Sequence, residues 1–172
     1  NSNIFKKELK RTLSLDSIAI LNPLNVKKII NKKKINFFLN FNGIKIISIG
    51  RLTDQKSQIL ILKSLKYLKR KKIKFKFFLI GKGDKLNELK KYVKNNELVN
   101  HVKFAGYKKN AYEYLGYSDL FVLSSEFEGL PNVLIEAQVH NIPIISSDCP
   151  TGPREILLNG KLGTLFKVGD YI

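Results

Sequence analysis

Two carboxylates and two cations carry most of the chemistry this chain could perform. Glu128 and Glu136 are separated by seven residues in the run Glu128-Gly-Leu-Pro-Asn-Val-Leu-Ile-Glu136. Pro131 marks a helix start, where its missing N–H costs nothing. Glu128 therefore falls in a loop and Glu136 about one and a half turns into a helix, so both can face one mouth. A carboxylate accepts hydrogen bonds through both oxygens and suits the vicinal hydroxyls of a sugar. Free N–H groups around Asn132 and Val133, at the helix start, suit an anion. Upstream, Gly50-Arg51-Leu52 is followed by Lys56, two cations of the kind that meet phosphate. Gly81-Lys82-Gly83-Asp84 and Gly106-Tyr107-Lys108 are further loops in which glycine permits close backbone approach.

Each of these loops follows a predicted strand. Residues 44–49 and 75–80 are mainly apolar runs, interrupted by Lys45 and Ser48 in the first and Lys76 in the second, and residues 101–105, 120–123, 143–146 and 162–166 are further strand candidates. Between them lie helical patterns at residues 57–72, 84–95, 111–117, 131–140 and 152–158. In the first, Leu60 or Ile61, Ser64 or Leu65, and Leu68 share one side, with lysines on the other. In the second, Asp84 is an expected N-cap, and Leu86, Leu89 and Val93 form the inner face. Strands apolar on both faces that alternate with helices predict an α/β, Rossmann-like parallel sheet with helices on both faces, over residues 43–172. Such sheets bind ligands at the carboxyl ends of their strands, which is where the chemistry-bearing loops fall. Together they describe a site for a phosphate-bearing nucleotide. Residues 1–42 read as a connecting segment with one or two short elements. Apolar patches at 13–21 and 36–41 flank an Asn22-Pro23 break and the lysines at 32–34.

The 172 residues suit one domain, with 44% hydrophobic and 26% charged residues. No apolar run approaches the ~18 residues that would cross a bilayer, and the start of the chain lacks a secretory pattern. The single cysteine, Cys149, excludes an internal disulfide and a cysteine-based zinc cluster, so a reducing, cytoplasmic setting is expected. Net charge is +17, and 27 of the 31 cations are lysine. Such a composition is also what an AT-rich coding sequence produces. The distribution is uneven: residues 1–110 hold 28 cations and 6 acids, whereas residues 111–172 hold 3 and 8. An asymmetry of that size can mark attraction to anionic lipid, phosphate or nucleic acid. His101 and His140 show no metal-binding arrangement, and the expectation is no metal.

The string Ser125-x-x-Glu128-Gly-x-Pro-Asn-x-x-x-Glu136-Ala resembles the motif of the group 1 (family four) glycosyltransferases. Gly50-Arg51-Leu52-x-x-x-Lys56 resembles their basic diphosphate motif. The segments at 79–84, 142–157, 160–165 and 169–170 are similar to further family segments in the expected order. The resemblance covers about residues 44–170. It implies one half of a two-domain GT-B architecture: the C-terminal, donor-binding domain of a retaining, metal-independent enzyme. On that basis residues 1–42 are expected to be the tail of an acceptor domain plus the interdomain linker, with Leu21-Asn22-Pro23 like the family's linker strand. Residues 43–172 are expected to be a donor domain shortened at its C-terminus, poorly active or inactive without its acceptor half.

Residue by residue, the resemblance implies that Arg51 and Lys56 grip the nucleotide diphosphate and neutralise the charge that grows as it departs. Glu128 would hold the donor sugar and its developing positive charge, and Glu136 the ribose hydroxyls. Backbone around Gly129, Leu130, Asn132 and Val133 would hold sugar and phosphate. Gly50, Gly81, Gly83 and Tyr107 would lie around the diphosphate, ribose and base. The donor would be a nucleotide-sugar, a UDP-sugar by preference, used as substrate with no cofactor. The transferred hexose or N-acetylhexosamine would pass to a cell-surface glycan or lipid-linked acceptor, at the cytoplasmic face of an anionic inner membrane. One position departs from the pattern: the residue after the motif lysine is often glycine in the family and is Ser57 here, which questions the local turn geometry. Competing readings are a basic nucleic-acid-binding module, disfavoured because the aromatics lie within strands, and a GT-B epimerase or phosphorylase relative, disfavoured by the paired cations and carboxylates.

Overall fold

The computed structural model describes residues 3–20, 22–30 and 33–171. Its centre is a six-stranded, all-parallel sheet in the order β3-β2-β1-β4-β5-β6. The strands are β1 (Ile44–Ile49), β2 (Phe75–Ile80), β3 (Val102–Gly106), β4 (Leu120–Leu123), β5 (Ile144–Ser147) and β6 (Thr164–Phe166). Before the sheet come α1 (Asn3–Leu13) and α2 (Val26–Ile30). The connections carry α3 (Gln58–Arg70), α4 (Leu86–Asn95), α5 (Asn132–Val139) and α6 (Pro153–Ile156), with 3-10 turns at Asp54–Lys56 and Ala111–Tyr117.

Side chains of the inner strands divide between two cores. Ile46, Phe75, Phe77 and Leu79 pack with Ile61, Leu62 and Leu65 of α3 and Leu89 and Val93 of α4. Ile47, Ile49, Phe78 and Ile80 pack on the other side with Leu115, Leu134, Ala137 and Leu157. Burial on both faces is why β1 and β2 read as mainly apolar runs rather than alternating ones. The chain builds β1, β2 and β3 outward in one direction and then returns to place β4 beside β1. At that reversal the loops leaving β1 and β4 run to opposite sides, and the carboxyl ends of the two strands border a crevice.

The amino-terminal segment, expected to hold one or two short elements, contains α1 and α2. Residues 3–13 form a helix, with Phe5, Leu9 and Leu13 recurring at i, i+4 spacing. The apolar patch that follows forms no regular element where it is described, and Ile18 is 86% exposed. Residues 36–41 dock instead on the sheet. Phe37 stacks on Phe78 with ring centroids 3.6 Å apart, and Phe38 is buried in the core. Of the linker-like triplet, Leu21 lies outside the described residues, as do Asn31 and Lys32.

Two turns are corrected or resolved. Asp84 does not cap α4: the helix starts at Leu86 with Lys85 at the cap position and no side-chain cap bond. The cause is upstream. Gly81 (φ +152) and Gly83 lie against the β1 loop so closely that a Cβ would fall 1.8 Å from the Gly50 carbonyl oxygen and 2.2 Å from that of Leu52. This contact carries the chain over β1, and Lys85 N–H donates to Leu52 O at 3.0 Å before the helix begins. Ser57, between the 3-10 turn and α3, adopts φ 45, ψ 41, a left-handed conformation that glycine accepts without cost. The turn at which the resemblance often implies glycine is therefore made here by a serine in the left-handed region. Ser57→Gly is expected to stabilise the chain by about 0.5–1 kcal/mol, because relief of the left-handed strain outweighs the added entropy of the unfolded chain. A higher urea midpoint at unchanged slope would be the readout, and an unchanged or lower midpoint would contradict it.

Candidate functional site

The crevice beside β1 and β4 is built from two loops tied to each other. After β1, Gly50 N–H donates to Ile80 O and Leu52 N–H to Lys82 O, both at 3.0 Å, so the loop continues the sheet for one more step. The 3-10 turn at Asp54–Lys56 then sends Lys56 back across Gly50, where a Cβ would stand 3.7 Å from the lysine methylenes. From β4, Ser124 donates its hydroxyl to the carbonyls of Lys56 (2.8 Å) and Ser57 (3.1 Å). Gln55 accepts from Glu126 N–H at 2.8 Å through its backbone and donates to Phe127 O at 2.9 Å through its side chain.

This stitching brings Lys56 and Glu128 together. Lys56 Nζ stands 2.5 Å from Glu128 Oε1, with the side chains only 14% and 7% exposed. Ser125 Oγ donates to the same oxygen at 2.6 Å. Burial lowers the local dielectric, so both charges need the partner they have. Arg51 opens the same loop; its side chain is exposed and makes no ion pair among the described residues, and Gln58 Nε2 holds its carbonyl at 2.7 Å. One cation of the pair is thus engaged and the other is open to solvent.

Beyond Glu128 the chain turns into α5. The N–H groups of Gly129 and Leu130 meet no acceptor among the described residues, and those of Asn132 and Val133 open the helix, where no intrahelical partner exists. Asn22 donates to Leu130 O (3.3 Å) and Asn132 Oδ1 (3.1 Å), so the segment before the sheet braces this turn. The β5–α6 loop braces it from the other side. Thr151 donates its hydroxyl to the Glu128 carbonyl, and Gly152 (φ +68) lies where a Cβ would come 2.4 Å from Gly129 O. Glu136, the fifth residue of α5, is half-buried and forms no ion pair among the described residues. Desolvation holds its carboxyl above the usual carboxylate range.

The loops after β2 and β3 also converge. Gly81 N–H donates to Gly106 O at 3.0 Å, and the Lys82 ammonium stands 5.4 Å from the centroid of the exposed Tyr107 ring. Gly81 and Gly83 have a packing reason to be glycine whether or not a ligand is near. Sequence reasoning put Arg51, Lys56, Glu128, Tyr107 and the glycine turns after strands and Glu136 within the helix that follows, and the structure has the first group in the loops at the carboxyl ends of β1 to β4 and Glu136 within α5. It missed Ser125 as a partner of Glu128, the Gln55 and Asn22 braces, and the Lys82–Tyr107 pair. Ser125 stood in the Ser125-x-x-Glu128 string, Lys82 and Tyr107 in their glycine loops and Asn22 beside its proline break, whereas Gln55 carried no signal.

The remaining singled-out residues serve structure. His101 stacks on Phe75, with centroids 4.7 Å apart. Cys149 is buried and its thiol is pushed up to about 11, so it is no thiolate at neutral pH. Arg154 forms a two-pronged ion pair with Asp148, and Glu155 accepts from Asn3 Nδ2 at 2.8 Å. Among the described residues no cluster of His, Cys, Asp or Glu could hold a metal ion, and no helix is long and apolar enough to cross a membrane.

Fold and site together define an α/β domain with a phosphate-suited crevice at the reversal of its sheet. Residues 30–171 match the family model for glycosyl transferases group 1, and the chain belongs to that family. Similar proteins include an uncharacterized glycosyltransferase of Methanocaldococcus jannaschii, 45% identical over 111 residues, 64% of this chain and 27% of that protein. The amylovoran biosynthesis glycosyltransferase AmsD of Erwinia amylovora is 30% identical over 155 residues, 88% of this chain and 43% of its own length. Among solved structures, a point mutant of S. aureus TarM in complex with fondaparinux, alpha-GlcNAc-glycerol and UDP superposes with a TM-score of 0.79. At 22% identity it covers 99% of this chain and 33% of TarM, a likeness of fold. The Rossmann-like sheet is thus the one found in GT-B glycosyltransferases, and this chain spans less than half the length of each of these three relatives.

The raised Glu136 carboxyl has a stability consequence. Its folded form binds a proton more readily than the unfolded chain, whose reference value is 4.5. Stability attributable to Glu136 is therefore lost as pH rises from that reference through the folded value, and the penalty is complete above it. Glu136→Gln removes the penalty. The variant is expected to melt higher than wild type at pH 8, with the gap closing as pH falls towards 4.5. A gap that is constant with pH would contradict the assignment.

Proposed function

We propose that this chain binds the nucleotide-sugar donor of a retaining glycosyltransferase, with a UDP-sugar as the preferred donor and neither metal nor cofactor required. The observation that carries this reading is the Lys56–Glu128 contact at the mouth of the crevice, beside exposed Arg51 and the unpaired N–H groups entering α5. A diphosphate laid there meets two cations and a helix N-terminus, all of which favour negative charge. When the bond from the sugar to the diphosphate breaks, its electron pair leaves with the nucleotide, and Arg51 and Lys56 neutralise that growing charge. Glu128 offers its carboxylate to the sugar hydroxyls and to the positive charge developing on the ring. Glu136, further along α5, accepts from the ribose diol, and the exposed Tyr107 ring offers a face to the base. UDP in the structural relative supports the preference for uridine.

The transferred group in this reading is a hexose or N-acetylhexosamine, and the acceptor a cell-surface glycan or lipid-linked sugar. An acceptor-binding domain would close the crevice from the other side. The chain alone therefore binds donor but transfers poorly. Net +22 over residues 1–110 favours a cytoplasmic enzyme peripheral to an anionic inner-membrane surface.

Calorimetric titration with UDP, GDP and ADP at matched salt tests the reading. Saturable binding of UDP above the other two is expected. Arg51→Ala should weaken UDP about 10-fold while changing uridine affinity little, because it removes one charge-assisted contact to phosphate. Glu136→Ala should weaken both. Wild-type affinity in both folded variants would remove the site assignment, and tight, salt-sensitive binding of a DNA duplex in place of nucleotide would favour a nucleic-acid module.

A further inference from the structure

We infer that Ser125 and Ser147 are positioning residues for Glu128, a buried relay through which β5 decides which carboxylate oxygen is left for the donor sugar. The inference rests on the donor reading above.

Both serines are fully buried, at 0% exposure. Ser147, the last residue of β5, donates its hydroxyl to the backbone carbonyl of Ser125 at 2.6 Å. That carbonyl sits just past the end of β4, where the sheet ladder stops. The serine from the neighbouring strand replaces the missing ladder partner and fixes the Ser125 peptide. Ser125 in turn donates its hydroxyl to Glu128 Oε1 at 2.6 Å, three residues along the loop. Lys56 Nζ reaches the same oxygen at 2.5 Å. Thr151 holds the Glu128 backbone from the β5–α6 loop by donating to its carbonyl.

The two bonds on Oε1 are what separate a positioning role from simple packing. A short hydroxyl donor and an ammonium converge on one oxygen, while Oε2 accepts no hydrogen bond among the described residues. A carboxylate on a flexible glutamate would share its donors between both oxygens. Held at Oε1 from two directions and at its own carbonyl, Glu128 has one oxygen committed to the protein and one left for a ligand hydroxyl. Buried polar groups of this kind are costly unless every member is paired, and the relay pairs each of them. Loss of Ser125 leaves Lys56 as the single donor on Oε1, and loss of Ser147 loosens the Ser125 peptide, so in either case the carboxylate is held less firmly.

The relay acts on the sugar and not on the nucleotide, and its test is a difference between two ligands. Wild-type chain, Ser125→Ala and Ser147→Ala are titrated with UDP, UDP-glucose and UDP-N-acetylglucosamine. Wild type is expected to bind at least one of the sugar nucleotides more tightly than UDP. Ser125→Ala should keep its UDP affinity within about 2-fold and lose about 5- to 10-fold for that sugar nucleotide, the effect of one hydrogen bond to a charged group. Ser147→Ala, which removes a single hydroxyl one step further away, should show the same split at smaller size. It also serves as the second variant should Ser125→Ala fail to fold. Equal weakening of UDP and sugar nucleotide would mark the serines as merely structural and overturn the inference. An unchanged preference in both variants would overturn it as well. If wild type binds none of the three ligands, the donor reading itself fails, and the inference falls with it. That outcome is visible before any variant is measured, so the two failures are distinct.

Discussion

A buried charge pair between two loops is the constraint on which the rest of this domain turns. Lys56 and Glu128 come from opposite sides of the point where the sheet reverses its winding, and each is nearly withdrawn from water. Withdrawing two charges is expensive, and removing one partner of such a pair costs about 3–5 kcal/mol because the other is left alone. The protein responds with redundancy. Ser124 and Gln55 tie the β1 and β4 loops through uncharged hydrogen bonds, and Gln58 closes the β1 loop on the Arg51 carbonyl. The loops after β2 and β5 press on them through Gly81, Gly83 and Gly152, at distances that exclude a side chain. Four strand ends are thereby drawn into one rim. In the proposed role, the arriving diphosphate would bring new negative charge to a lysine that already has a carboxylate, and exposed Arg51 supplies the balancing cation.

The sheet was legible in the sequence because the inner strands are buried on both faces. Residues 44–49 and 75–80 could be bounded to the residue, since glycine closes each run and the buried positions are apolar apart from Ser48. The chemistry-bearing residues were legible for a related reason. Glycines, cations and carboxylates stand immediately after strands, where few other residues would be needed. The turns were less legible. Asp84 has the right residue type for a helix cap, yet Gly81 and Gly83 fasten their loop to β1 and the cap position moves one residue on, to Lys85. Ser57 sits at a left-handed position that only backbone geometry reveals. The helix at residues 3–13 was hidden because its polar residues outnumber its apolar ones. The contacts that Asn22 makes with the start of α5 and Ser147 with the Ser125 carbonyl depend on which distant segments become neighbours, information that local sequence does not hold.

Charge and site are arranged differently. The described lysines of α1, α3 and α4 are exposed or half-buried, whereas the crevice is bordered by a small number of paired or open groups. Bulk charge of that kind raises the local concentration of any anion and falls away with salt. It does not orient one. In the proposed role, orientation would come from groups with fixed direction: the N–H groups entering α5, Glu128 with two donors on its Oε1, and the half-buried Glu136. Membership in the group 1 glycosyltransferases and the arrangement of these groups are consistent with each other.

The central claim is that the ligand phosphates enter at the reversal of the sheet, between the β1 and β4 loops. Backbone amide chemical shifts of the isotope-labelled chain, followed through a UDP titration, test it most directly. The account predicts saturable shifts concentrated at residues 50–57 and 128–136, with smaller ones at 81–83 and 106–107. Shifts confined to the lysine-rich faces of α1, α3 and α4, growing with UDP and abolished by salt, would contradict it.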